Sequence, residues 1–177
     1  MLSTMQDFPL TIGMIFRHGR AVHPDGAVVT FDGEGTAQAS FTEIAARVEQ
    51  LAAALTRLGV GSGDRVATLC WNHHAHLECY FGIPAAGGVM HTLNLRLSPA
   101  EISWIAGHAR DRFLVVDDVL LPLYRQLTAR FEKVIVVPFS GAPVAPEFTD
   151  YERFIDVDAR AFRPVPHEED DPIAMCY

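Results

Sequence analysis

Apolar residues recur at alternating steps of three and four in the segment 41–58. The positions are Phe41, Ile44, Val48, Leu51, Leu55 and Leu58. This spacing places them in one stripe along an α-helix. Ser40 and Glu43 form a capping-box pattern at its start, and Gly59 follows as a left-handed C-terminal cap. The pattern predicts a helix that packs one face against a core.

Four short runs after this helix are apolar throughout rather than alternating. They lie at residues 65–70, 89–93, 113–117 and 134–137. Continuous apolar runs are typical of strands covered on both faces. Helices are predicted between them at 73–81, after the N-cap Ser98 with Pro99 at the first position, and at 120–131. The alternation predicts an α/β fold with an open, mainly parallel, doubly wound sheet and helices on both faces.

The remaining segments lie before and after these strand-helix units. Two β-prone runs at 27–31 and 36–41 flank a Gly-rich turn and predict a β-hairpin. We therefore divide the chain into an N-terminal helix and hairpin (1–39), repeated strand-helix units (40–137), a loop and acidic connector (138–171) and a strand (172–177). Because this last apolar strand has nothing after it to cover it, we expect an incomplete N-terminal domain.

Composition restricts the class of function. Hydrophobic residues make up 49% and charged residues 20% of the 177 residues, as in an ordinary globular protein. Fourteen Lys and Arg against 22 Asp and Glu give a net charge of -8, which makes nucleic acid an unfavourable partner.

Targeting and compartment follow from three further observations. The longest uncharged apolar or small stretch, residues 79–90, contains Pro84 and three glycines and predicts no membrane span. Residues 1–7 lack the basic start of a secretory signal. Three widely spaced cysteines favour a reducing cytoplasm.

One polar cluster contains residue types that bind metals. It consists of Cys70, His73, His74, His76 and Cys79. The spacing matches no known zinc site, so the favoured interpretation is a set of partly buried histidines at a helix start and small core cysteines. A thiolate nucleophile at Cys70 or Cys79 is a second alternative, and core packing is again favoured over it.

Two glycine-rich segments and one polar loop are further candidates. Residues 59–64 follow a helix and precede a strand, so they predict a cap and turn rather than a phosphate loop. Gly82, Gly87 and Gly88 predict close helix-sheet packing. In residues 91–97, polar groups collect at the carboxyl end of a strand, where open α/β sheets bind ligands. The alternative is that Asn94 makes a local turn bond and Arg96 is solvated.

Several of these segments together resemble the AMP-forming acyl-CoA synthetases, and most of all the long-chain fatty-acyl-CoA synthetases. The matching segments are Ser40–Ile44, Gly59–Ala67, Asn72–His74 and His91–Ile102. In that family, residues 171–177 look like the lead into the phosphate-binding loop, of which only the first residue, Tyr177, is present. The resemblance implies a nucleotide-binding role for Tyr177, and it implies that the loop, the magnesium ligand and the catalytic lid of the parent enzyme would follow this residue.

The resemblance also implies chemistry and partners for the parent enzyme. It would activate a fatty acid with ATP and Mg²⁺ to an acyl-adenylate and then transfer the acyl group to CoA. Arg96 and Arg125 match positions near the CoA nucleotide in short-chain relatives, so both are candidate CoA phosphate contacts. At the position of Arg96, those relatives carry glycine. No catalytic residue and no metal ligand is expected within these residues.

Three functional hypotheses follow. The first is the N-terminal portion of a cytoplasmic fatty-acid CoA ligase, inactive as an isolated chain. The second is a non-catalytic interaction module, including a homodimer through the N-terminal region, because an uncovered sheet edge is a template for pairing. The third, a flavodoxin-like domain that binds FMN or NAD, rests on fold pattern alone.

Overall fold

A six-stranded, fully parallel sheet forms the centre of the protein, in a computed structural model that describes Thr4 and residues 8–177. The strands are β1 (Ala27–Phe31), β2 (Thr36–Ser40), β3 (Arg65–Leu69), β4 (Val89–Thr92), β5 (Phe113–Asp117), β6 (Lys133–Val137), β7 (Thr149–Asp150) and β8 (Ala174–Met175). Their order in the sheet is β7-β6-β5-β3-β4-β8, and β1 and β2 form a separate antiparallel hairpin. The predicted open parallel sheet and hairpin are confirmed.

Six α-helices in the described part of the chain connect and cover these strands. They are α1 (Ile12–Val22), α2 (Phe41–Leu58), α3 (His74–Ala85), α4 (Pro99–Ala109), α5 (Leu121–Tyr124) and α6 (Tyr151–Ile155). The capping boxes predicted for α2 and α4 are present, with Ser40 and Ser98 accepting from the amides of Glu43 and Glu101. Within the described part of the chain, no helix has the length and apolarity needed to cross a bilayer. The expectation about a secretory signal concerns residues 1–7, of which only Thr4 is described.

Two cores lie on opposite faces of the sheet. On one face, α2, α3 and α6 pack Leu51, Ile83 and Tyr151 against the strands. On the other, α4 and the segment after β5 pack Ile102 and Leu121 against Leu114 and the neighbouring strands. Because β3 to β6 are covered on both faces, their sequences are mainly apolar rather than alternating.

The predicted helix at 120–131 is wrong. A single 3-10 turn at Asp118–Leu120 leads into the four-residue α5, and the chain then leaves helical geometry. The amide of Thr128 donates to Ser103 Oγ on α4 at 2.9 Å instead of to the carbonyl four residues earlier. Leu121 and Leu123 pack onto the core from α5, and Leu127 packs onto it from the irregular segment that follows. Tertiary contacts therefore override local propensity here.

The last strand is shorter than predicted. β8 contains only Ala174 and Met175, and it pairs in parallel with Met90 and His91 of β4. It forms one edge of the sheet, with no further strand beside it among the residues described. Its outer edge therefore keeps backbone groups that could pair with another strand.

Glycines bring helices close to their neighbours, as the sequence predicts. A Cβ added at Gly82 on α3 would lie 2.8 Å from Cδ2 of Leu51 on α2, and one at Gly88 would lie 3.0 Å from Val60. Gly87 has a φ of 88°, which favours glycine. The approach of α3 to α2 therefore depends on Gly82.

Gly82 and Gly107 provide a matched test of this packing, because both lie within helices and only Gly82 meets a neighbour. We expect Gly82→Ala to lower the free energy of unfolding by about 1–3 kcal/mol, since fully buried Leu51 has no room to move away. Gly107→Ala should instead raise it by up to about 1 kcal/mol, through helix propensity alone. Urea unfolding of both variants measures the difference, and equal stabilities would contradict the close packing.

Candidate functional site

The strand order changes direction between β3 and β5, which lie side by side: β4 is added on one side of β3, and β5 and β6 are added on the other. The connection after β3 runs to α3 on one face, and the connection after β5 runs to α5 on the other. In open α/β sheets, ligands bind in the crevice at such a switch point, at the carboxyl ends of the strands. Here the residues at that point are Cys70–His73 and Asp117.

His73 and Asp117 fill this crevice. His73 Nε2 lies 2.9 Å from Asp117 Oδ1, and both side chains are fully buried. The second oxygen of Asp117 accepts the backbone N–H of Trp71 at 2.7 Å, and the ring of Phe139 stacks on His73 at 4.9 Å. The pair therefore ties the loop after β3 to the end of β5 and β6.

The hydrogen bonds fix the tautomer of His73. Its Nδ1 accepts the backbone N–H of His76 at 3.3 Å and caps the start of α3. A backbone N–H can only donate, so Nδ1 carries the lone pair and the ring proton sits on Nε2, from which it is donated to Asp117. The ring is thus a structural link between a helix start and a strand end.

Cys70, His73 and Asp117 are also the one described set of residues with the geometry of a metal site, with ligand atoms all within 4.8 Å of one another. Asp117 was not among the residues singled out from the sequence, although a carboxylate ending an apolar strand was a visible signal. The hydrogen bonds do not suit a metal, because His73 Nε2 keeps its proton while Nδ1 caps the helix. The Cys70 thiol donates to the carbonyl of Val115.

Neither buried cysteine has the environment of a nucleophile. Burial raises the pKa of the Cys70 thiol well above its usual value, and the charge of Asp117 raises it further. Burial, followed by the charge of Glu78, does the same to the pKa of Cys79. Both groups stay protonated, and both pack in the core beneath α2 and α3. The packing interpretation of the cysteines agrees with this geometry.

A second buried pair joins β4 to the segment that precedes β5. His91 on β4 contacts both carboxylate oxygens of Asp111 through Nδ1, at 2.9 and 2.8 Å, and both side chains are fully buried. Tyr177 lies against His91, with ring centroids 5.4 Å apart, and its hydroxyl lies 2.5 Å from His108 Nδ1. The residue that matches the start of the phosphate loop is therefore held at the carboxyl end of β8, against α4.

The two candidate CoA contacts lie on separate loops. Arg96 is exposed after β4, and its backbone N–H donates to Asn94 Oδ1 at 3.0 Å, which is the local turn bond that the sequence offered as the alternative. Arg125 follows α5, and its exposed guanidinium lies 3.6 Å from Glu147. No hydrogen bond or ion pair between described residues joins them, so their shared role stays a prediction.

His76 is a buried histidine whose protonation state links the stability of the protein to pH. Its Nε2 lies 3.1 Å from Thr68 Oγ1, while Nδ1 is buried and has no hydrogen-bond partner among the described residues. Burial lowers the pKa of His76 to about 4. The folded protein therefore holds His76 neutral at pH values where the unfolded chain, with its usual pKa near 6.5, binds a proton.

We therefore expect stability to fall as the pH drops from about 6.5 to about 4, by about 3 kcal/mol from this residue. Urea unfolding of the protein and of His76→Gln across pH 4–8 measures the contribution. The variant should lose most of this pH dependence. Above pH 7, the free energies of unfolding of the two proteins should change with pH in the same way. An unchanged slope in His76→Gln would contradict a neutral buried ring.

Comparison with known proteins agrees with the motifs and the topology. The sequence profile of the AMP-binding enzyme family matches residues 16–177. The chain is 41% identical over 164 residues to a long-chain-fatty-acid–CoA ligase of Thermus thermophilus, covering 91% of this chain and 30% of the relative. It is 33% identical over 184 residues to a 3-methylmercaptopropionyl-CoA ligase of Ruegeria lacuscaerulensis, covering 100% of this chain and 34% of the relative. The chain thus spans about a third of the length of these relatives.

Solved structures show the same fold. Coronafacic acid ligase from Pectobacterium brasiliense superimposes with a TM-score of 0.78 at 18% identity, over 92% of this chain and 32% of that one. A fatty acyl CoA synthetase of Mycobacterium tuberculosis superimposes with a TM-score of 0.75 at 21% identity, over 94% of this chain and 32% of that one. With the profile extending from α1 to the last residue of the chain, this protein belongs to the AMP-binding enzyme family, as its resemblance to the acyl-CoA synthetases indicated.

Proposed function

We propose that this chain is the N-terminal portion of an ATP-dependent fatty-acid CoA ligase. The observation that carries the proposal is the 41% identity to a long-chain-fatty-acid–CoA ligase over 91% of the chain. The parent enzyme would use ATP and Mg²⁺ to form an acyl-adenylate and would then transfer the acyl group to CoA. The three free cysteines of the chain support a reducing, cytoplasmic location.

Within such an enzyme, these residues provide scaffold rather than chemistry. The switch point between β3 and β5 is filled by His73 and Asp117, whose side chains are fully buried and hydrogen-bonded to each other. Pyrophosphate departure needs backbone amides, hydroxyls and cations around the phosphates. The described residues bring together no such set. The 177-residue chain alone should therefore have no ligase activity.

The residues at the carboxyl edge suit substrate contacts at the margin of a site. Tyr177 is half exposed and held by His108, so its ring can form one wall of a nucleotide site. Arg96 presents an exposed cation on the loop after β4, and the guanidinium of Arg125 is exposed beside Glu147. Exposed guanidinium groups are suited to the phosphates of CoA. The division of the chain into segments 1–39, 40–137, 138–171 and 172–177 stays part of this proposal.

The first test compares the chain with a version extended to the full length of its relatives. Pyrophosphate release and acyl-CoA formation are measured with ATP, Mg²⁺, CoA and a panel of fatty, medium-chain and aryl acids. We expect activity in the extended protein alone, with a preference for fatty acids. Acyl-adenylate formation by the 177-residue chain would contradict the scaffold role.

Absence of ligase activity in both proteins would favour the second candidate, a non-catalytic module that associates with a second copy. Two observations support that candidate: the open outer edge of β8 and the exposed apolar side chains of Leu10, Ile15 and Val22 near the N-terminus. The oligomeric state of the same preparations, measured by sedimentation, tests it directly.

The second test concerns the arginines, in the extended protein. Arg96→Ala and Arg125→Ala should each raise the KM for CoA about five-fold, the loss expected from one exposed charge-assisted hydrogen bond. The KM for ATP should change less than two-fold. Arg160→Ala is the matched control, because the side chain of Arg160 is 90% exposed and its ion-pair partner among the described residues is Asp158. A KM for CoA that stays the same in both variants would remove these residues from the proposed CoA site.

A further inference from the structure

A large apolar cavity lies on the far side of α2 and α3 from the sheet. Its volume is about 770 Å³, which is within the range of small-molecule sites. The floor is formed by Val48 of α2 and by Phe81 and Ala85 of α3. The N-terminal segment with α1 forms one wall, and the segment around Phe162 and Val165 forms the other.

The cavity is separate from the carboxyl edge of the sheet. Its second wall is fixed at the opposite edge, where the amide of Val165 donates to the carbonyl of Ala85 at 2.9 Å, at the end of α3. His167 lies next to it, 2.7 Å from the carbonyl of Pro84. The first wall is fixed by Phe16, whose ring packs on Phe81 at 4.7 Å. Both walls are therefore anchored to the same helix, and the cavity is a feature of the fold rather than of one loop.

The charge around the cavity is unusual for this protein. The chain carries a net charge of -8, yet residues 8–23 contain no Asp or Glu and contain Arg17 and Arg20. Both arginines line the cavity. Arg20 is neutralised by Glu49, at 2.6 Å. Arg17 has no ion-pair or hydrogen-bond partner among the residues that the structure describes, and its Nη1 lies 3.5 Å from the Cβ position of Gly13 on the cavity wall.

From this combination, we infer that the cavity binds one single-chain amphiphile with a monoanionic carboxylate head, a free fatty acid, with its alkyl chain along the apolar floor and its carboxylate at Arg17. Among the described charged side chains that line the cavity, Arg17 is the cation without an ion-pair partner and matches one negative charge, whereas a polyphosphate head would also meet Glu49. The aromatic and aliphatic lining supplies the apolar surface that an alkyl chain requires. This site is independent of the proposed ligase reaction.

Binding of dodecanoate to the 177-residue protein tests the inference, by isothermal titration below the micellar concentration. We expect saturable binding of one dodecanoate per chain. Arg17→Gln should weaken it at least five-fold, and dodecanol, with the same chain and a neutral head, should bind equally weakly to both proteins. Arg160→Gln, which removes an exposed arginine elsewhere, should leave binding of dodecanoate unchanged.

Gly13→Leu tests the cavity itself. An added Cβ at Gly13 meets no atom closer than 3.5 Å, and replacing a helical glycine favours the helix, so this variant should fold with an unfolding midpoint at or above that of the parent. The atom nearest to the added Cβ is Arg17 Nη1, so the leucine side chain would fill the part of the cavity where the carboxylate is placed and should reduce binding of dodecanoate at least ten-fold.

Three results would overturn the inference. They are the absence of saturable binding, full binding by a folded Gly13→Leu variant, and equal affinity for dodecanoate and dodecanol in the parent protein. Tighter binding of lauroyl-CoA than of dodecanoate, lost in Arg17→Gln, would also overturn it, because the occupant would then carry a polyanionic head. None of these measurements depends on ligase activity, so the failure of this inference is distinguishable from failure of the proposed function.

Discussion

The carboxylate of Glu78 is fully buried between three helices, and the packing of one whole face of the sheet depends on how its charge is satisfied. Arg47 of α2 donates to it at 2.6 Å and also binds Glu152 of α6 through two further nitrogens, while the hydroxyl of Tyr151 donates to its second oxygen at 2.7 Å. Burial alone would lower the pKa of Arg47, but the hydrogen bonds to Glu152 and Glu78 raise it, so the cation is retained.

This network sets the mutual position of α2, α3 and α6. Loss of one partner would leave a buried charge without compensation, which costs about 3–5 kcal/mol in comparable sites. Burial raises the pKa of Tyr151, which keeps its phenol protonated as a donor to Glu78. The fixed spacing of α2 and α3 in turn creates both the tight contact at Gly82 and, on the outer side, the floor of the cavity next to α1.

The same principle explains why the switch point carries no open ligand site. His73 and Asp117 satisfy each other in the crevice between β3 and β5, and the N–H of Trp71 and the start of α3 use their remaining hydrogen-bonding capacity. Polar groups buried at a strand end are stable only when they are paired in this way. The surfaces that remain open to ligands in the described part of the chain include the loop after β4, the region of Tyr177 and the cavity against α1.

The sequence by itself determined the elements whose signals are local. The stripe of α2, the capping boxes at Ser40 and Ser98, and the apolar runs of β3 to β6 each depend on neighbouring residues, and they indicated the parallel sheet and the family resemblance. Only the tertiary structure decided the rest. Helix α5 ends at Tyr124, and Ser103 on α4 accepts the amide of Thr128 within the segment 120–131 that was predicted to be helical. Asp117 meets His73 across 44 residues, and the two walls of the α1 cavity come from opposite ends of the chain. These contacts depend on long-range packing, for which periodicity and spacing carry no signal.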